Sequence, residues 1–203
     1  MQENLIKKIS KEKIYPIIRS QDVQQAIDTA NALIEGGIKV LEINVENSSL
    51  YQAIHEVSKS ATVSAGGIIT GQQAMKAIDA GAEIISSPIF QMNMVKISKD
   101  KEIPLIACAS TPNEAYNAWK TRVPLIKIFP ANALGGVLYI EDLLRPMPFL
   151  NVMPSGNILL EEVIDYIKAG CVAVGVGRSF YHDSSFAEIT KKAKQIVEKL
   201  KDL

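Results

Sequence analysis

The chain has 203 residues, 47% of them hydrophobic and 22% charged, which is ordinary for a globular protein and long enough to bury a substantial core in one domain. Its 22 lysines and arginines balance 22 aspartates and glutamates, excluding the strong field that draws basic proteins to nucleic acid or acidic membranes. Cys108 and Cys171 lack CxxC or metal-type spacing, no apolar run reaches membrane-spanning length, and the first residues, Met1 to Lys8, hold no long apolar core. The expectation is a cytoplasmic protein with reduced thiols, no signal peptide, and no membrane or nucleic-acid partner.

Residues 3–12 pattern as a short amphipathic helix with Leu5, Ile6 and Ile9 on one side. Ile14-Tyr-Pro-Ile-Ile18 reads as a strand that ends in Arg19. Asp22, a candidate N-cap, opens a helical pattern that Gly36-Gly37 stops. The second strand is Ile38–Ile43, followed by a helix near Leu50–Ser58. Ala61–Ala65 is the third strand, closed by Gly66-Gly67; a helix at Gln72–Ala80 ends at Gly81. Strands are predicted at Glu83–Ser86 and Pro104–Ala107, with helices near Gln91–Ser98 and Asn113–Lys120. Val123–Ala131 is the sixth strand, and a weak helix near Gly136–Leu144 precedes a strand at Phe149–Met153. A helix at Leu160–Ala169, a strand at Val172–Gly175 and a long helix over Ser185–Lys199 complete the chain.

That is about eight strands, each followed by a helix, in units of about 20–25 residues. Such alternation implies a parallel sheet wrapped by helices. Eight successive units favour a closed (β/α)8 TIM barrel over an open sheet, with residues 1–203 forming one domain. No GxGxxG follows the first strand, which argues against a dinucleotide-binding fold.

The sixth strand carries a lysine in the middle of an apolar run. An unpartnered buried ammonium is costly. Either Lys127 snorkels to a sheet edge or pairs structurally, or it is a desolvated amine that attacks a carbonyl. Alternate residues of a barrel strand face the lumen. Leu125, Lys127 and Phe129 share one face of their strand; Val40, Glu42 and Asn44 share one face of theirs. Glu42 therefore enters the lumen as Lys127 does, and Arg19 ends the neighbouring strand. Barrel active sites lie at this C-terminal end of the strands. The trio reads either as an ion network without chemistry or as a site in which an amine forms an iminium, a carboxylate moves protons and an arginine grips a carboxylate. Pro154-Ser-Gly-Asn157 and Gly175-Val-Gly-Arg178 follow the last two strands, where barrels often bind phosphate or another anion. His55, His182 and Trp119 read as ordinary helix, loop and packing residues.

Several stretches taken together resemble a known family: Pro16-Ile-Ile-Arg19, Gly36-Gly-Ile-Lys-Val-Leu-Glu42, Gly81-Ala-Glu-Ile-Ile-Ser-Ser-Pro88, Ile103-Pro-Leu-Ile106, Lys127-Ile-Phe-Pro-Ala131, Gly135-Gly136 and Pro154-Ser-Gly156. They resemble the 2-keto-3-deoxy-6-phosphogluconate / 4-hydroxy-2-oxoglutarate aldolases over nearly the whole chain. The resemblance implies a metal-free class I aldolase, typically trimeric, that releases pyruvate and an aldehyde from a 2-keto-4-hydroxy acid. It implies that Lys127 is the Schiff-base lysine and Glu42 the proton-transfer group. The expected substrate contacts are Arg19, for the keto-acid carboxylate, with Gly67, Pro88 and Phe129. Ser155, Gly156, Gly177 and Arg178 are expected at the anion end. The chain departs from the family at Val45-Glu-Asn47, at Gly67 in place of a threonine, at Ala107-Cys108 after the fifth strand, at Asn157 and at Arg178. A different acceptor aldehyde, and a paralogue that binds a keto acid or sugar phosphate without turnover, are the alternative readings.

Overall fold

A computed structural model describes residues 2–201 and Leu203; Met1, Asp202 and the side chains of residues 2–5, Leu5 among them, lie outside the described residues. The eight strands are β1 (Ile14–Ile18), β2 (Val40–Asn44), β3 (Thr62–Gly66), β4 (Ile84–Ser87), β5 (Leu105–Ala109), β6 (Leu125–Ile128), β7 (Val152–Pro154) and β8 (Val174–Val176). The helices are α1 (Gln2–Glu12), α2 (Val23–Glu35), α3 (Leu50–Val57), α4 (Gly71–Asp79), α5 (Met92–Asp100), α6 (Pro112–Lys120), α7 (Gly136–Leu144), α8 (Val163–Lys168), α9 (Arg178–Tyr181) and α10 (Phe186–Leu200). Hydrogen-bonded neighbours run β7-β6-β5-β4-β3-β2-β1-β8, every pair parallel. The ring closes between β7 and β8 through a bridge from Ser155 to Gly175 and a 2.9 Å bond donated by the Val172 N–H to the Val152 carbonyl. A Cβ on Gly175 would lie 2.9 Å from Ser155 Cβ, so the seam needs glycine there. This is the expected (β/α)8 barrel.

Local chemistry sets the helix starts. The Asp22 carboxylate accepts from the Gln25 N–H at 2.7 Å, as its N-cap position predicts. Thr111 and Glu114 form a capping box with Pro112 in the first turn, and Ser185 with Glu188 forms another at α10.

Two apolar layers follow from the period-2 strand pattern. One lies between sheet and helices and includes Leu33, Leu41, Ile43, Ile54, Val63, Ile85 and Ile126. The other fills the lumen with Tyr15, Ile17, Val40, Ile84, Ile106, Leu125, Met153 and Ala173; Ile9 of α1 belongs to this cluster. The N-terminal half of the lumen is thus mainly apolar and packed, with Thr62 and its Lys8 partner at the base, and the Lys127–Glu42 pair lies above it.

Some boundaries differ from the sequence pattern. Cys108, expected just past the fifth strand, lies inside β5, because it pairs in register with Lys127 and the ladder continues to Ala109. The sixth strand is shorter than Val123–Ala131, and β8 begins at Val174, so Gly175 lies in the strand. The helix expected from Leu160 opens as a 3-10 turn over Leu160–Glu162. The four-residue α9 directly after β8 was not expected; it holds Arg178 at its start.

Candidate active site

Lys127 and Glu42 meet in the lumen, 4% and 2% exposed. The Lys127 ammonium donates to Glu42 Oε2 at 2.7 Å, to Oε1 at 2.9 Å and to Ser86 Oγ at 2.9 Å. All three N–H donors of the ammonium are used. The Tyr15 ring lies below, its centroid 5.7 Å from Nζ. Register explains the meeting. Glu42 pairs with Ile17 on one side and with Ser64 on the other, and Lys127 pairs with Cys108 and Met153. These residues share the inward parity of their strands. Gly66 makes room for the carboxylate, since a Cβ there would lie 2.5 Å from Glu42 Oε1 and 2.2 Å from Asn44 Oδ1.

A buried ion pair contributes little to stability once its desolvation is counted. A reactive pair gains from the same burial, because charges interact more strongly away from water. Cys108 faces this pair. Burial pushes its thiol up to about 11, against the pull of the Lys127 charge and with a further push from Glu42. It is therefore a neutral wall of the site at neutral pH and not a thiolate.

Above the pair opens a cavity of about 910 Å³. Its lining contains all the residues expected at the site: Arg19, Glu42, Gly67, Pro88, Lys127, Phe129, Ser155, Gly156, Gly177 and Arg178. Asn44, Glu46, Ser86, Cys108, Tyr181 and His182 also line it. His182, which reads as a plain loop residue in the sequence, is at the rim with its Nδ1 2.7 Å from the Asp183 carboxylate. Among the described residues no group of three or more His, Cys, Asp or Glu side chains could hold a metal ion.

Arg19 lies past the end of β1, and Arg19 Nη1 donates to Glu46 Oε1 at 3.0 Å. Asn44 Nδ2 donates to the same oxygen at 3.2 Å. These two side chains are 52% and 33% exposed, so the pair is a solvent-facing one of small energetic weight. Arg178 has no ion-pair partner among the described residues and is exposed beside Gly177, just past β8, the strand that neighbours β1. The loop after β7 is held tight. The Ser155 N–H donates to the Ile128 carbonyl at 2.9 Å, and the Ala131 N–H to the Ser155 carbonyl at 2.8 Å. Gly156 has φ +110°, and a Cβ there would lie 2.9 Å from Pro130 Cα.

Ser86, Tyr15 and Ser64 are the lumenal polar groups that sequence reasoning did not single out. All three share the inward parity of their strands, Ser86 with Ile84 on β4, but serine and tyrosine are common strand residues and parity alone does not mark them.

Comparison with known proteins identifies the family and the fold. A profile of the family described as "KDPG and KHG aldolase" matches residues 5–199. The chain is 27% identical to a 2-dehydro-3-deoxy-phosphogluconate aldolase of Haemophilus influenzae over 207 residues, covering 98% of each chain. It is 29% identical to the KHG/KDPG aldolase of Escherichia coli over 194 residues, covering 91% of each. Its fold superposes on the crystal structure of 2-keto-3-deoxy-6-phospho-gluconate aldolase from Zymomonas mobilis with a TM-score of 0.86, at 21% identity, covering 95% of this chain and 96% of that one. The family match spans nearly all of the barrel, both lumenal strands with the buried lysine and carboxylate included, and the chain belongs to the KDPG and KHG aldolase family.

Proposed function

We propose that this protein is a class I aldolase in which Lys127 forms the Schiff base and Glu42 moves the protons. The substrate is a 2-keto-4-hydroxy acid such as 2-keto-3-deoxy-6-phosphogluconate, and the products are pyruvate and an aldehyde. The observation that carries this reading is a buried lysine whose three donors are held by one buried carboxylate and one serine, beneath an open cavity.

The chemistry follows from those groups. The Lys127 amine adds to the C2 carbonyl, and loss of water from the carbinolamine leaves a protonated imine. Glu42, directly or through one water, takes the proton of the C4 hydroxyl. The C3–C4 bond then breaks, its electron pair moves toward the iminium to give an enamine, and the aldehyde departs. Return of the proton to C3 and hydrolysis by water release pyruvate and free the amine.

Around this centre Gly67, Pro88 and Phe129 shape the cavity, with Ser155, Gly156, Gly177 and Arg178 toward a phosphate or other anion. Arg178 carries a permanent charge and a fork of donors suited to phosphate. Arg19 is the candidate for the keto-acid carboxylate, which has to displace or share Glu46. Residues 1–203 act as one domain. A cytoplasmic homotrimer is the assembly that the family suggests; no described helix is long and apolar enough to cross a membrane. Light scattering tests the trimer as three times the 22.2 kDa chain mass.

The test of function is pyruvate release. Purified protein given 2-keto-3-deoxy-6-phosphogluconate should release pyruvate, and Lys127→Ala should not. Binding without release would favour a paralogue that has lost turnover; the intact Lys127–Glu42 pair supports turnover.

A further inference from the structure

Two hydroxyls in the floor of the site, Tyr15 Oη and Ser64 Oγ, are buried with no hydrogen-bond partner among the described residues. Both residues are 0% exposed. Buried polar groups are rarely left unpaired, and each such case asks for a reason. Ser64 is the register neighbour of Glu42 on β3. Tyr15 underlies Lys127 from β1. Its hydroxyl lies close enough to Glu42 and Ser64 for both to act on its ionisation, yet neither contact has hydrogen-bond geometry. Burial first, and then the Glu42 charge, holds that phenol well above its usual range. It stays an O–H donor throughout the neutral range.

The need for such a donor arises during the proposed reaction. In the resting chain Lys127 is the only side chain among the described residues that donates to Glu42, and it gives two of its three N–H bonds. Condensation converts an ammonium and a carbonyl into a protonated imine and water. Two of the three N–H protons leave with the carbonyl oxygen, and one N–H remains. Glu42 therefore loses at least one donor at the stage when it must stay placed to move the next proton. On its Gly66 side the neighbouring side chain is Asn44, whose Oδ1 cannot donate and whose Nδ2 already donates to Glu46.

We propose that Tyr15, backed by Ser64, is a positioning residue for Glu42: the two idle hydroxyls take over as donors to the carboxylate once Lys127 has become an imine. This inference rests on the Schiff-base reading above.

The test separates imine formation from the proton transfer that follows it. Borohydride trapping with pyruvate reports the first, and exchange of pyruvate methyl protons with D2O reports the second. In Tyr15→Phe, trapping should stay within about two-fold of wild type, while exchange slows by roughly 10- to 100-fold, the weight of one hydrogen bond to a charged group. Its Tm should equal or exceed that of wild type, because the hydroxyl removed has no partner in the resting chain. Ser64→Ala should show a smaller loss in the same direction and serves as the second variant. Exchange at the wild-type rate in both variants would overturn the inference. So would trapping and exchange falling together with Tm, the mark of a structural role. Wild type that cannot be trapped at all contradicts the Schiff-base reading itself, and the inference falls with it; wild type that traps and exchanges isolates the outcome for Tyr15.

Discussion

Cys108 and Lys127 stand directly opposite each other across the β5–β6 ladder, both facing the lumen. The proposed Schiff-base amine and a thiol thus share one wall of the site, and the ionisation of the thiol sets its part. The Cys108 shift is upward, to about 11, with burial the leading cause. The thiolate is therefore scarce at neutral pH and gains weight only as pH rises toward about 11. Iodoacetamide at pH 8 should leave Cys108 unmodified and activity intact, as read by peptide mass spectrometry. Fast alkylation at pH 8 would mean that the thiol is ionised and that its surroundings are more polar than this geometry gives.

The Lys127–Glu42 pair is expected to be costly to break and cheap to replace whole. Removing the lysine alone leaves a buried, unpaired carboxylate. Lys127→Met should destabilise by about 3–5 kcal/mol in urea denaturation at neutral pH. Lys127→Met combined with Glu42→Gln should recover most of that loss, because no charge is then left buried. Equal destabilisation in both variants would show that the charge of Glu42 is not held by Lys127.

Arg178 tests the anion end of the cavity. Arg178→Ala should raise KM by roughly 10- to 100-fold for a phosphorylated substrate, the weight of a hydrogen-bonded charge contact. KM for an analogue without phosphate should change little. Equal effects on the two would make Arg178 a surface residue of α9 with no part in recognition.

The proposed mechanism assigns proton transfer to Glu42, the carboxylate that holds Lys127. Glu42→Gln keeps the size of the side chain and removes its capacity as a base. Pyruvate methyl exchange in D2O and aldol cleavage should both slow by about 10²–10⁴-fold, the usual weight of general acid–base assistance. Exchange at the wild-type rate would return Glu42 to a structural ion pair.

The barrel was legible in the sequence because βα units of even length leave few other ways to bury apolar strands on both faces. Lys127 and Glu42 were legible because a strand's period of two assigns each residue a face, and charge in an apolar strand stands out. Ser86, Tyr15 and Ser64 have the same inward parity, yet serine and tyrosine are common strand residues, so their placement carried no signal of its own. The Arg19–Glu46 pair joins residues from loops after two different strands. Sequence marked Glu46 as unusual but could not show that it occupies the guanidinium of Arg19. Strand ends were the least legible. Cys108 reads as the first residue past the fifth strand, and only its pairing with Lys127 shows that β5 continues. α9 is four residues long and has no periodicity to read.

The central claim is a covalent one: the Lys127 amine condenses with a 2-keto acid. The most direct measurement is mass spectrometry after borohydride reduction in the presence of saturating pyruvate. The Schiff-base mechanism predicts one reduced pyruvate adduct per chain, located by peptide mapping on Lys127 and lost in Lys127→Ala. No adduct in the wild-type protein, or an adduct that maps to another lysine and persists in Lys127→Ala, would contradict it.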